Sequence, residues 1–485
     1  MDIKITAKDF GPLYKADPVL KPLTIFIGPN NSGKSYLSIL TYSIHKILEG
    51  YLRYLEYFST LTHISPENER KWLQDVIKQS DEDKFIDVPP EIIREILQNI
   101  FELLFGVVLK DEIEKSFASP IDQLVRIGKK SFSVSLKFSF CEVRLRSRKD
   151  KLSIENLIPG KIGIKINPLK EIQFARNRIL GKKSSDKSTR LSEEEINIFA
   201  IKKIHKKIIK NIFDSITKGS GGEIYYLPSA KSGILLHHKL LLANITEELP
   251  FMGMRGGNTP VFTGVIADFL SNIIKLPDIP RELYELATEF EEKITRGNII
   301  LSGSDNIRFP DIRYKLKNTQ IPLYRTSSTV TELASFFLFL KYLINPGDLL
   351  VIEEPEAHLH PENQRLMAQL LVRLVRNGVK ILITTHSEFL LEQLSNFIMM
   401  SKVEPEARVK KYDLSEDDYL TPDEVSVNVF RYDKRSGAFK TKMIKTDEED
   451  GISEDEFMEV TESLYNQMVK IQRAVNDEEK KKEEN

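Results

Sequence analysis

A chain of 485 residues exceeds one ordinary hydrophobic core, and 41% hydrophobic with 29% charged residues describes a globular protein, not a disordered or fibrous one. One cysteine, Cys141, excludes an internal disulfide framework and any multi-cysteine metal site. The net charge of −1 hides an asymmetry: residues 141–210 hold 19 Lys and Arg against 8 Asp and Glu, so they carry +11 and the rest of the chain −12. Such a stretch reads either as a solvated lysine-rich face or as a surface for a polyanion such as DNA.

The start, MDIKITAKDF, lacks the basic-then-apolar pattern of a secretory signal. The most apolar run, ASFFLFLKYLI, is shorter than a bilayer span and is broken by Lys341. A cytoplasmic protein without membrane contact is expected.

In chain order, the first 28 residues read as strands separated by turns, the last feeding a Gly-rich loop. A helix from about Ser35 to Glu49 should stop at Gly50, and helical periodicity continues from Tyr51 to about Phe117. The period changes to two in SFSVSLKFSFCEVRLRS, which predicts a strand pair, and the basic stretch closes on a helix, IHKKIIKNIFDSI. GEIYYLPSAKSGIL reads as a return to the core sheet. Next comes a βαβ unit: strand Leu349–Ile352, a helix opened by Pro361 and ended by Asn377-Gly378, and strand Val379–Thr384. Strand-like EVSVNVFRYD, helical EDEFMEVTESLYNQMVKIQRAV and the charged tail NDEEKKKEEN complete the chain. The pattern is that of an α/β protein, a mixed sheet flanked by helices with a largely helical insertion.

Gly28-Pro29-Asn30-Asn31-Ser32-Gly33-Lys34-Ser35 fits G-x-x-x-x-G-K-[ST] between a strand and a helix. Glycines let consecutive N–H groups turn inward around a β-phosphate, and the helix N-terminus adds positive potential. Gly28, Asn30, Asn31, Ser32 and Gly33 are the candidate cradle; Lys34 would reach the β- and γ-phosphates, and the Ser35 hydroxyl would complete Mg²⁺ coordination. LLVIEEPEAHLHP delivers Glu353 and Glu354 at the end of an apolar strand, where open α/β sheets bind ligands. Neighbours on a strand face opposite ways, so Glu353 would serve the Mg²⁺ shell and Glu354 would polarise an attacking water. His386 closes the adjacent strand in ILITTHS and is a candidate γ-phosphate contact, a structural histidine being the alternative. His358 and His360 read as a turn, not a zinc pair, and no transition metal is assigned. Phe10 or Tyr14 could stack on a base or belong to the core.

The strings GPNNSGKS, VIEEPEAHLHP and TTHS, in this order with a long insertion after the first, resemble the ABC-type ATPases of the overcoming-lysogenization-defect (OLD) family and, more distantly, the SMC and double-strand-break-repair ATPases. The resemblance covers about 1–50 and 221–445 as a discontinuous ATPase head, leaving 51–220 as an insertion and 446–485 as a C-terminal helix and tail. It implies ATP and Mg²⁺ as cofactors, Glu353 in place of the usual Walker B aspartate, Glu354 as catalytic base and His386 as switch histidine. It also implies a homodimer or higher homo-oligomer in which a signature helix of one head closes the ATP site of another. The candidate is RTSSTVTELASFFLFLKYLI: Thr329-Val330-Thr331-Glu332 reads as a capping box with a helix from Val330, presenting Ser327, Ser328 and Thr329 to a partner's γ-phosphate, although the signature glycines of transporters are missing and an ordinary capped core helix is the alternative.

OLD nucleases carry a Toprim domain, whereas the acidic DLSEDD and KTDEEDGISEDEF lie in polar, turn-like settings here, so no nuclease is expected in this chain. No Asn-Lys-x-Asp motif supports a GTPase, no acceptor site identifies a kinase, and the insertion lacks a Cys-x-x-Cys hook and sustained heptads. Two classes survive. One is a dimerising nucleotide switch that controls a separate effector, a nuclease or toxin, as in two-component anti-phage defence. The other is an SMC/repair-like ATPase that engages DNA through residues 141–210.

Overall fold

Strands made almost wholly of large apolar residues, such as LTIFI and LLVIE, are buried on both faces and form the middle of one large sheet. The computed structural model describes residues 3–50, 67–78, 84–138, 141–160, 163–181, 193–216, 222–237, 262–302, 311–453 and 467–472. Its main strands are β1 (Lys4–Phe10), β2 (Leu13–Ala16), β3 (Leu23–Ile27), β4 (Ser133–Lys137), β5 (Cys141–Arg148), β6 (Lys151–Pro159), β7 (Ile224–Leu227), β8 (Leu349–Glu353), β9 (Lys380–Thr385), β10 (Val425–Asp433) and β11 (Ala438–Ile444). They form an 11-stranded sheet in the order β6-β5-β4-β1-β2-β11-β10-β3-β9-β8-β7. From β10 through β3, β9 and β8 to β7 every pairing is parallel. From β6 to β2 every pairing is antiparallel.

The main α-helices are α1 (Lys34–Glu49), α2 (Glu67–Lys78), α3 (Pro90–Leu103), α4 (Leu109–Phe117), α5 (Pro168–Gly181), α6 (Glu193–Ile216), α7 (Gly264–Ile274), α8 (Tyr284–Thr295), α9 (Ser328–Tyr342), α10 (Pro361–Arg376), α11 (Glu388–Met399) and α12 (Pro405–Tyr412). Strand alternation sends Phe26, Tyr226, Val351, Leu382 and Phe430 to one core, shared with α1 and α2 to α6. Ile25, Leu227, Ile352, Ile383 and Val427 enter a second core with α8 to α11. The parallel half is therefore a sheet between two helical layers.

The βαβ unit reads as expected: β8 and β9 pair in parallel, Pro361 opens α10, and Gly378 leaves it at φ 81°. The strand pair expected around 131–147 is instead three strands that extend the main sheet, β4 pairing antiparallel with β1. The limits 51–220 thus cut across sheet hydrogen bonds, because alternating apolar residues from Val134 to Leu152 bury one face in the same core as Ile5 and Ala7. Helix α9 begins at Ser328, two residues before the expected Val330, and its N-cap is Ser327 instead of Thr329. Most of the C-terminal helix and tail lies outside the described residues; 467–472 is helical. Among the described residues no helix is long and apolar enough to cross a membrane.

Candidate nucleotide site

The loop from β3 to α1 needs glycine at two positions. Gly28, at φ 154°, lies so close to β10 that a Cβ would sit 2.8 Å from the Phe430 Cβ and carbonyl oxygen. Gly33 takes φ 98° immediately before Lys34, packed on Pro12 and Leu13. Asn31, at φ 59°, completes the turn in a conformation that Asn tolerates. Ser32 is fully buried and its hydroxyl has no partner among the described residues. The Lys34 ammonium donates to the carbonyls of Gly28 (2.8 Å) and Pro29 (2.9 Å), so the lysine lies along the inside of its own loop.

This loop forms one wall of an open cleft of about 730 Å³. Asn30, Asn31, Gly33, Lys34 and Ser35 line it, and Glu354, Thr384 and His386 face them from the ends of β8 and β9. The structure brings the sequence-predicted loop, glutamate and histidine together in one chain. The Glu353 carboxylate is buried beside them; Oε2 accepts the Ser229 N–H at 3.1 Å, while Oε1 is buried with no hydrogen-bond partner among the described residues. A buried carboxylate oxygen of this kind calls for a cation or a water, so the donor set fits a divalent ion held with Ser35.

Glu354 turns the chain out of β8 with φ 47°, its N–H donating to Thr384 O at 2.9 Å. That turn leaves its side chain partly exposed in the cleft, with Oε1 3.8 Å from His386 Nε2. Glu356, to which no role was assigned from sequence, fixes the end of β9: its Oε1 accepts from the Thr385 hydroxyl (2.7 Å) and the His386 N–H (2.8 Å). Its signal lay in the EEPE string, but only the fold shows which strand end it reaches. Burial lowers the Lys34 pKa to about 8, against the upward pull of Glu354, Glu356 and Glu353. Burial, and then the Lys34 charge, lower that of His386, so the imidazole is neutral at pH 7.

The opposite wall comes from Gly11, Pro12, Tyr36, Gln123, Val125 and Ile127. The segment at 123–127 carries no motif and could not be found from sequence. Phe10 is no base platform: it is fully buried, edge-on to Tyr36, Phe117 and Phe132. Tyr14 is exposed beneath the Arg126 guanidinium, 5.8 Å from its ring centre. His360 caps α10, its Nδ1 accepting the Glu362 N–H.

Ser327 and Thr329 do not reach this cleft. They line a second one of about 330 Å³ with Lys293, Arg296, His360 and Asn363. Ser327 Oγ accepts the Val330 N–H at 3.4 Å, and the Thr329 hydroxyl donates to His358 O at 3.2 Å. Glu332 does not close a capping box, because it turns inward to the fully buried Lys231, 2.6 Å away. Lys231 also lies 3.4 Å from the carbonyl of Glu353.

The model of the AAA ATPase domain family matches residues 1–391. No curated protein matches the chain. Among solved structures, an SMC head bound to the C-terminal winged-helix domain of ScpA is similar at 13% identity, over 91% of this chain and 97% of that one, with a TM-score of 0.38. The SMC head domain from Thermotoga maritima is 12% identical over 92% of this chain and 100% of that one, with a TM-score of 0.34. An SMC head with an extended coiled coil, bound to a ScpA domain derived from Pyrococcus furiosus, is 13% identical over 91% and 96%, with a TM-score of 0.37. The family match spans most of the chain and contains both strand ends and the loop of the cleft, and the protein belongs to the AAA ATPase domain family.

Proposed function

We propose that the chain binds ATP with Mg²⁺ in the cleft between α1, β8 and β9, hydrolyses it, and uses the cycle as a dimerising switch over a separate effector. The observation that carries the reading is the buried Oε1 of Glu353, without a hydrogen-bond partner among the described residues, beside a glycine-cradled lysine and the partly exposed Glu354. Ser35 and Glu353 would hold the ion, which when bound supplies positive charge to the phosphate oxygens. Loop N–H groups from Gly28 to Gly33 and the Lys34 ammonium bind phosphate, and Asn30, Asn31 and Ser32 shape the loop. Glu354 takes the proton of the attacking water, and neutral His386 next to it can donate to the γ-phosphate.

Ser327 and Thr329, which within one chain open on a different cleft, would serve a second copy together with the exposed Ser328 between them. Two heads joined by ATP and released by hydrolysis would control a nuclease or toxin encoded elsewhere; the motif likeness to OLD-type ATPases supports an anti-phage setting.

Nucleotide titration and turnover test the site. Lys34→Ala should weaken ATP binding by at least about tenfold, the worth of a charge-assisted contact. Glu354→Gln should keep binding and lower turnover by about 10²- to 10⁴-fold. Unchanged affinity in the first variant would overturn the nucleotide reading, and unchanged turnover in the second would remove Glu354 as base.

A further inference from the structure

The exit of β8 has to place two carboxylates at once, and a single peptide group governs both. The peptide between Glu353 and Glu354 carries the carbonyl of the first and the N–H of the second, so its plane sets where the strand ends and how the next side chain leaves it. Glu354 takes φ 47°, a strained conformation for a residue with a side chain, and one that persists only where its neighbours over-determine it. The N–H side of the peptide is held by β9, where Thr384 O accepts from Glu354 N at 2.9 Å. The carbonyl side faces Lys231, whose Nζ lies 3.4 Å from Glu353 O. Two residues earlier, the Ser229 N–H donates to Glu353 Oε2 at 3.1 Å. One short segment after β7 thus holds both the side chain and the backbone of the candidate ion ligand.

Lys231 is itself anchored on α9. Its ammonium is 2.6 Å from Glu332 Oε1, and each side chain is 1% exposed. A buried ion pair stabilises a fold no better than well-packed apolar side chains in its place, so stability alone does not account for this one. α9 carries a second buried pair towards its other end, Lys341 with Glu291 of α8, and that lysine also donates to Ile299 O at 3.3 Å. None of those three residues lines the nucleotide cleft. Glu332, in contrast, stands one helical turn beyond Thr329, whose hydroxyl donates to His358 O in the stretch that follows Glu354. The first half of α9 is therefore joined to the exit of β8 at two points.

We propose that Lys231 is a positioning residue for this turn: its ammonium, oriented by Glu332, fixes the peptide between Glu353 and Glu354 from the carbonyl side, so that hydrolysis depends on how α9 is seated. The inference rests on the reading of Glu353 as ion ligand and Glu354 as base.

The test compares ATP turnover, KM and thermal unfolding in the full chain and three variants of it. Lys231→Met with Glu332→Leu leaves no unpaired buried charge and should unfold near the parent temperature, yet its kcat should fall about 10- to 100-fold while KM for ATP changes by less than about twofold. Glu332→Gln, which keeps the shape and an acceptor for the ammonium, should lower kcat in the same direction by about three- to tenfold. Lys341→Met with Glu291→Leu, the other pair on the same helix, should keep the kcat of the parent. Parent turnover in both variants of the Lys231 pair would overturn the proposal. So would an equal fall in the Lys341 variant, which would mark a general packing defect of α9, or a parallel loss of ATP affinity, which would place Lys231 behind the phosphate loop instead. Undiminished turnover in Glu354→Gln, where the Lys231 pair is intact, would instead bring down the underlying reading of the base, and the positioning role with it.

Discussion

In the proposed ATP site, Lys34 would tie nucleotide affinity to pH. Burial holds its pKa at about 8 despite three nearby glutamates, whereas phosphate binding requires and stabilises the ammonium. The sign follows: affinity is full below pH 8 and is lost as pH rises through that value. ATP should bind about tenfold more weakly at pH 9 than at pH 7, and Lys34→Arg should flatten the profile because guanidinium stays charged. A second residue-scale prediction concerns Lys231 and Glu332, each 1% exposed in the same ion pair. Lys231→Met alone strands a buried carboxylate and should cost about 3–5 kcal/mol, measured by denaturant unfolding, and Lys231→Met with Glu332→Leu should recover most of it.

At the scale of elements, the ends of β8 and β9 matter more than their interiors. Glu354 reaches the cleft because the strand stops at Glu353 and the next residue takes a left-handed turn. The Glu356 carboxylate then holds Thr385 and the His386 N–H, and Ser387 caps α11 by accepting the Leu390 N–H at 3.0 Å. Glu356→Ala should therefore misplace His386 and lower turnover by about tenfold with little change in ATP affinity. Equal losses in both parameters would instead mean that Glu356 shapes the phosphate cradle. The shifted start of α9 has a local cause: Glu332 is drawn into the core by Lys231, so no glutamate is left to complete a box on Thr329.

Across the whole molecule, one sheet joins the candidate nucleotide cleft to the antiparallel wing. β3 carries the phosphate loop and pairs with β10; β10 pairs with β11, β11 with β2, and so outward to β6. The two clefts share no lining residue, so the proposed pairing of heads can be tested apart from nucleotide binding. Light scattering should show the Glu354→Gln chain as a dimer with ATP and Mg²⁺ and as a monomer without them. Ser328→Arg, at an exposed position in the first turn of α9, should hold it monomeric without loss of ATP binding.

The phosphate loop, the Glu353-Glu354 strand end, His386 and the βαβ unit were legible from sequence alone. Each depends on chemistry within a few residues: glycines at turns, unbroken aliphatic strands, a proline at a helix start and acids where a strand ends. Tertiary structure decided what lies far apart in the chain. The alternating residues of 133–159 specify strands with one apolar face but do not name the strand they pair with; burial beside Ile5 and Ala7 does. The same pairing sets Lys8 beside Arg146 across Ser133, and chain folding sets Glu356 under His386 and Lys231 against Glu332. Long-range register and buried charge pairing carry no local signature, which is why the motif residues and the excess of basic residues in 141–210 could be read in advance and these pairings could not.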